Sequence, residues 1–127
     1  NSKNKFALEG NVANINDIYT NQNGKKILRF DLAQNNNGNT QFVPIVLRGE
    51  LVNSYGNEIQ KGDWVSVKGR ISTYQKDVER DGKTYKDKAI DILGFEITDR
   101  TNNKVYTSDG QVHELTNKEK KQTEMER

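Results

Sequence analysis

Lys61-Gly62-Asp63-Trp64-Val65-Ser66-Val67-Lys68-Gly69-Arg70-Ile71 is the stretch on which the reading of this chain turns. Val65, Val67, Gly69 and Ile71 alternate with Trp64, Ser66, Lys68, Arg70 and Ser72. A strict period of two is the mark of a strand with one buried face. Lys61-Gly62-Asp63 supplies the turn that starts it. Downstream, Asp81-Gly82 closes a hairpin onto a second strand that starts near Thr84 and runs inward through Ile90 and Ile92, then Gly94, Phe95 and Ile97.

Upstream the same signals recur. Phe6, Leu8, Gly10 and Val12 alternate with Ala7, Glu9 and Asn11, and the pattern continues loosely through Ile15 and Ile18 to Tyr19. Thr20–Gly24 is a turn cluster. Leu28, Phe30 and Leu32 alternate with Arg29, Asp31 and Ala33. Asn35–Thr40 reads as a turn, with Gly38 available for positive φ. Phe42–Leu47 is nearly continuous in apolar and β-branched residues, as in a strand buried on both faces. Pro44 within it lacks a backbone donor and implies an edge or a bulge. Leu51–Ile59 has no clear period and reads as a short helix or turn, with Gly56 as a breaker. Val105–Leu115 holds an Asp109-Gly110 turn between two short alternating pieces, a small hairpin. Residues 117–127 are polar and charged, with too little apolar surface to pack, and read as a flexible tail.

The 127 residues suit one domain, with 31% hydrophobic and 30% charged residues limiting the core to a small barrel. No apolar run approaches the ~18 residues of a membrane span. No secretory signal is evident, and the absence of cysteine excludes disulfides and thiolate metal sites. These features suit a cytoplasmic setting. With one histidine, His113, a multi-histidine metal site is impossible within the chain. The alternating Asp77, Glu79 and Asp81 read as turn and solubility residues. Neither a phosphate-cradling G-x-x-x-x-G-K-[ST] loop nor a nucleophile elbow occurs, so no enzyme chemistry, metal or cofactor is expected. The net charge is +2, unevenly spread: residues 61–88 carry eight basic and five acidic side chains, residues 89–127 six and eight. Charge alone leaves open a local polyanion contact or a solvated surface of mixed sign.

Several pieces together resemble one family. Gly10-Asn11-Val12 ends a first strand, and Leu28-Arg29-Phe30-Asp31-Leu32-Ala33 is similar to its F-x-L-A second strand. Phe42–Gly49 resembles its third strand and exit. The 61–71 stretch resembles its K-G-x-x-V-x-V-x-G-x-L/I signature, and Asp81–Tyr85 the tip of its fourth-to-fifth strand hairpin. Across about residues 5–97 the chain resembles a bacterial-type single-stranded DNA-binding protein. The resemblance implies an all-β, five-stranded OB-fold Greek-key barrel with an extended β-hairpin and a polar C-terminal tail. The expected divisions are an OB domain over 1–98, a small β-hairpin over 99–116 and the tail over 117–127. Gly10 and Gly69 suit the sharp bends of such a barrel, and the irregular 51–59 link favours an OB-fold over an SH3-like barrel.

The function implied is non-catalytic binding of single-stranded DNA with little sequence preference, by stacking on aromatics and phosphate contacts from Lys and Arg. The setting would be replication, recombination or mobile-element transfer. The resemblance places a stacking aromatic at Phe42, although the residues alone leave core packing equally open. Tyr74 and Tyr85 flank the hairpin among Lys76, Arg80, Lys83, Lys86 and Lys88. Trp64, out of phase with Val65, faces outward to stack on a base, cover a subunit interface or cap the barrel. Arg29, Arg48, Lys68 and Arg70 are outward phosphate candidates, and Tyr19, Lys25 and Lys26 flank the first hairpin.

There are departures. The loop between second and third strands is short. Lys76 stands about where the family commonly has tryptophan, and Lys120–Arg127 is not the family's acidic, hydrophobic-tipped end. These traits fit a divergent member from a phage, plasmid or integrative element. Family members assemble as homotetramers or dimers, so a homo-oligomer is expected. The alternative is a primosome-like OB module that docks on replication or conjugation proteins and binds nucleic acid weakly.

Overall fold

The computed structural model of the chain describes residues 2–117. The tail expected over 117–127 lies, from residue 118 onward, outside the described residues. The strands are β1 (Phe6–Ile15), β2 (Tyr19–Thr20), β3 (Lys26–Asn36), β4 (Asn39–Arg48), β5 (Trp64–Arg80), β6 (Lys83–Asp99), β7 (Lys104–Tyr106) and β8 (Val112–Glu114). One helix, α1 (Glu50–Tyr55), lies between β4 and β5.

β1 pairs with β5 over Phe6–Asn11 and with β3 from Asn11 onward, β3 pairs with β4, and β5 pairs with β6. A single parallel contact, Val46↔Leu93, joins β4 to β6 and closes the ring. This is the five-stranded OB barrel. Its interior is the expected alternating set: Leu28, Phe30 and Leu32 from β3, Val65 and Val67 from β5, and Ile45, Leu47 and Ile97. Both glycines act at corners. A Cβ on Gly10 would collide with the Ala33 carbonyl, and one on Gly69 with the Leu93 carbonyl. The β5–β6 register shifts between Lys68 and Gly69, so the close approach and the bulge coincide.

Helix α1 plugs one end of the barrel with Leu51, Val52 and Tyr55. Tyr55 packs on Tyr106 of β7, ring centroids 4.9 Å apart. β7 adds to the end of β6, β8 adds to β7, and this hairpin buries Val105, Tyr106 and Leu115.

Three expectations need correction. The turn at 35–40 is tighter than read: the β3–β4 ladder runs to Asn36↔Asn39, leaving Asn37 (φ 53°) and Gly38 (φ 83°) as a two-residue turn. Positive φ at both central positions matches the right-handed twist of the strands. Asp81 (φ 53°) and Gly82 (φ 75°) close β5–β6 in the same way. Burial on both faces of β4 holds only for Ile45–Leu47, and Pro44 is exposed because β4 is an open edge there. Ile71 and Ile90 are exposed, not inward, because β5 and β6 run on past the barrel as a free ribbon.

Candidate nucleic-acid interface

Strand parity determines which side chains meet outside the barrel. Phe42, Pro44, Val46 and Arg48 of β4 point away from the interior, opposite Ala33, Asp31, Arg29 and Ile27 of β3. Ile27, Val46 and Leu93 form a small buried apolar cluster of their own on this outer side. Ile27 and Val46 of that cluster floor a concave surface walled by Tyr19, Arg29, Arg48, Ser72, Tyr74 and Asp91. A neighbouring hollow takes in Lys25, Lys26, Arg48 and Phe95.

The ribbon continues the same face. Arg70↔Leu93, Ser72↔Asp91, Tyr74↔Ala89, Lys76↔Asp87, Val78↔Tyr85 and Arg80↔Lys83 are directly paired, so their side chains share one side. Tyr74 and Tyr85 therefore stand on the groove side, with Lys76, Arg80 and Lys83 between and beyond them. Lys86 and Lys88 have the opposite parity and lie on the back of the ribbon, where Lys86 pairs with Asp77. Phe42 is 57% exposed, which removes core packing as its role.

Two of the remaining candidates lie elsewhere. Trp64 pairs with Asn11 on the β1–β5 wall, and the paired positions Phe42, Ala33, Asn11 and Trp64 run across four strands, so Trp64 and Phe42 are three strands apart. Trp64 is half-buried, and its amide donates to Thr101 Oγ1 at 2.8 Å. Lys68 is on that wall too, 3.8 Å from Glu96. Arg70, on the groove side of the ribbon by its pairing with Leu93, sits at the bulge, its guanidinium carbon 5.8 Å from the Phe95 ring centroid.

Arg29 is the best-held cation of the groove. It donates to Tyr19 Oη at 3.5 Å and to Asp91 Oδ1 at 3.3 Å. The Tyr19 bond first, then the Asp91 charge, hold its pKa above the ordinary arginine value against the opposing effect of burial. Asp91 is a groove residue that sequence reasoning missed. Its place depends on β6 lying near β3 in the closed barrel, which no local pattern announces. Among the described residues no group of three His, Cys, Asp or Glu is arranged to hold a metal ion. No helix among them is long and apolar enough to cross a membrane.

A model of the single-strand binding protein family matches residues 3–97. The chain belongs to this family. The matched span ends inside β6, and β7–β8 lie beyond the match. Among solved structures, the dimeric N-terminal domain of PriB protein from Thermoanaerobacter tencongensis is similar at a TM-score of 0.55 and 19% identity, covering 74% of this chain and 92% of that one. At that identity the likeness establishes the fold. No curated protein sequence matches significantly.

Proposed function

We propose that this member of the single-strand binding family binds single-stranded DNA, with little sequence preference and without catalysing a reaction. The observation that carries this is the sharing of one face: Phe42, Tyr74 and Tyr85 are exposed on the same side as Arg29, Arg48, Lys76, Arg80 and Lys83, with Lys25 and Lys26 in the neighbouring hollow. Flat apolar rings among cations suit unpaired bases, whose faces a duplex hides, and phosphates. Stacking needs only a base face, so it tolerates any sequence. The setting we propose is cytoplasmic DNA replication, recombination or transfer of a mobile element.

The same reading includes assembly as a homodimer or homotetramer. Among the described residues no strand pairs with β1 between Phe6 and Gly10 on the side away from β5, so a strand edge is available there. The similar PriB domain is dimeric.

A second reading keeps some support. Asp91 and Asp87 place negative charge on the groove face, which suits a barrel that docks on a replication or conjugation protein and binds nucleic acid weakly. Photo-crosslinking of oligo-dT followed by peptide mapping tests the interface. The proposal expects crosslinks in peptides bearing Phe42, Tyr74 and Tyr85. Crosslinks confined to the Trp64 wall would overturn the assignment.

A further inference from the structure

Phe95 is an aromatic that the β5–β6 ladder expels. Lys68 pairs with Glu96 and Gly69 with Gly94, so Phe95 is the extra residue of the bulge and belongs to neither pair. Bulges re-aim side chains, and this one turns the ring outward, 39% exposed, between inward-facing Ile97 and Gly94. The ring stands between two hollows. One is the end of the groove with Lys25, Lys26 and Arg48. The other lies around the β6 bulge on the β1–β5 side, where Phe6, Ala7 and Gly69 form a mainly apolar floor and Lys5 and Lys68 bring positive charge. Arg70 lies 5.8 Å from the ring centroid, within the ~6 Å over which a cation and a ring attract.

We propose that Phe95 and this second hollow form a further base-binding subsite, which takes a nucleobase of the same strand after it leaves the groove. The inference rests on the single-stranded DNA reading above. A flat ring with cations on both sides repeats the chemistry of the groove, and Phe6 and Ala7 supply an apolar floor beside it. The strand path then turns around the β6 bulge, with Arg70 and Lys68 as its phosphate partners. Lysines at Lys5 and Lys68 fit a polyanion better than they fit an apolar protein surface.

The test uses the full chain and two lengths of oligo-dT, about 8 and about 16 nucleotides, within the site sizes that one OB-fold occupies. Wild type, Phe95→Ala and Phe95→Trp are compared by fluorescence anisotropy, with sedimentation to follow oligomeric state. Phe95→Ala is expected to match wild type on the short strand and to bind the long one about tenfold more weakly, the loss of one stacked base. Phe95→Trp is expected to restore tight binding of the long strand, with quenching of the new indole. Phe95→Ala that matches wild type at both lengths, while wild type binds both, would overturn the subsite alone. A change in oligomeric state with unchanged DNA affinity would overturn it in favour of a subunit contact. Wild type that binds neither length would remove the underlying reading, and the subsite with it.

Discussion

Arg29 Nη1 lies 3.3 Å from Asp91 Oδ1, joining β3 to β6 across the floor of the groove and linking residues 62 positions apart. Their side chains are 39% and 20% exposed, so water screens the pair and its removal should cost less than about 1 kcal/mol of stability. The effect on binding is larger, because Asp91 opposes phosphate where Arg29 attracts it. Asp91→Asn should bind oligo-dT more tightly and steepen the salt dependence by about 0.7, one phosphate contact for a single strand. Arg29→Ala should bind more weakly. Anisotropy across a salt series reads both, and equal affinities for the two variants would show that the pair does not touch the strand.

Tyr74 and Tyr85 stand on one side of a two-stranded ribbon outside the barrel core. Each truncation to alanine should weaken single-strand binding by roughly 1–3 kcal/mol, as for one lost stacking partner. Melting temperature should change little, since neither ring fills the core. Unchanged affinity in both variants would remove the ribbon from the interface.

The ribbon lysines should separate by face. Lys76→Ala with Lys83→Ala should lower the salt slope by about 1.4, two phosphate contacts on a single strand. Lys86→Ala with Lys88→Ala should leave it nearly unchanged, because these side chains lie on the back and Lys86 is already paired with Asp77. A larger change from the back pair would mean that the strand wraps the other side.

Asp63 offers a test of the barrel end. It is 6% exposed, and its carboxyl is pushed above the ordinary aspartate value by burial first and by the charge of Asp99 second, against the lowering effect of the Gln60 amide. A carboxyl with a raised native pKa favours the protonated form, so its contribution to stability is present at low pH and lost as pH rises through that native pKa. Asp63→Asn should remove this loss, melting higher than wild type at neutral pH and converging with it in acid. Melts from pH 3 to 7 check it, and parallel curves for the two proteins would contradict it.

Much of the barrel was legible in alternation alone. Val65, Val67 and Gly69 on one parity, and Leu28, Phe30 and Leu32 on another strand, turn inward as their spacing demands. The Asp81-Gly82 turn was legible because its two residues suit positive φ. Ile71 and Ile90 misled because their parity is that of the core, while the length of strand beyond the barrel leaves no trace in a period of two. Phe42 was ambiguous because an apolar run gives no parity to separate exposed Phe42 from buried Ile45. The split between Lys83 and Lys86 follows from parity once the two-residue turn is known. Phe95 was hidden by the bulge that shifts its strand's phase, and Asp91 by a contact that only the closed ring creates.

The most direct measurement is fluorescence anisotropy of labelled oligo-dT against a matched duplex and a matched RNA, at low and moderate salt. The account predicts tight binding of oligo-dT that persists at moderate salt, because stacking does not depend on counterions, with the duplex bound far more weakly. Weak binding to all three, erased by moderate salt, would contradict it and leave the barrel as a protein-docking module.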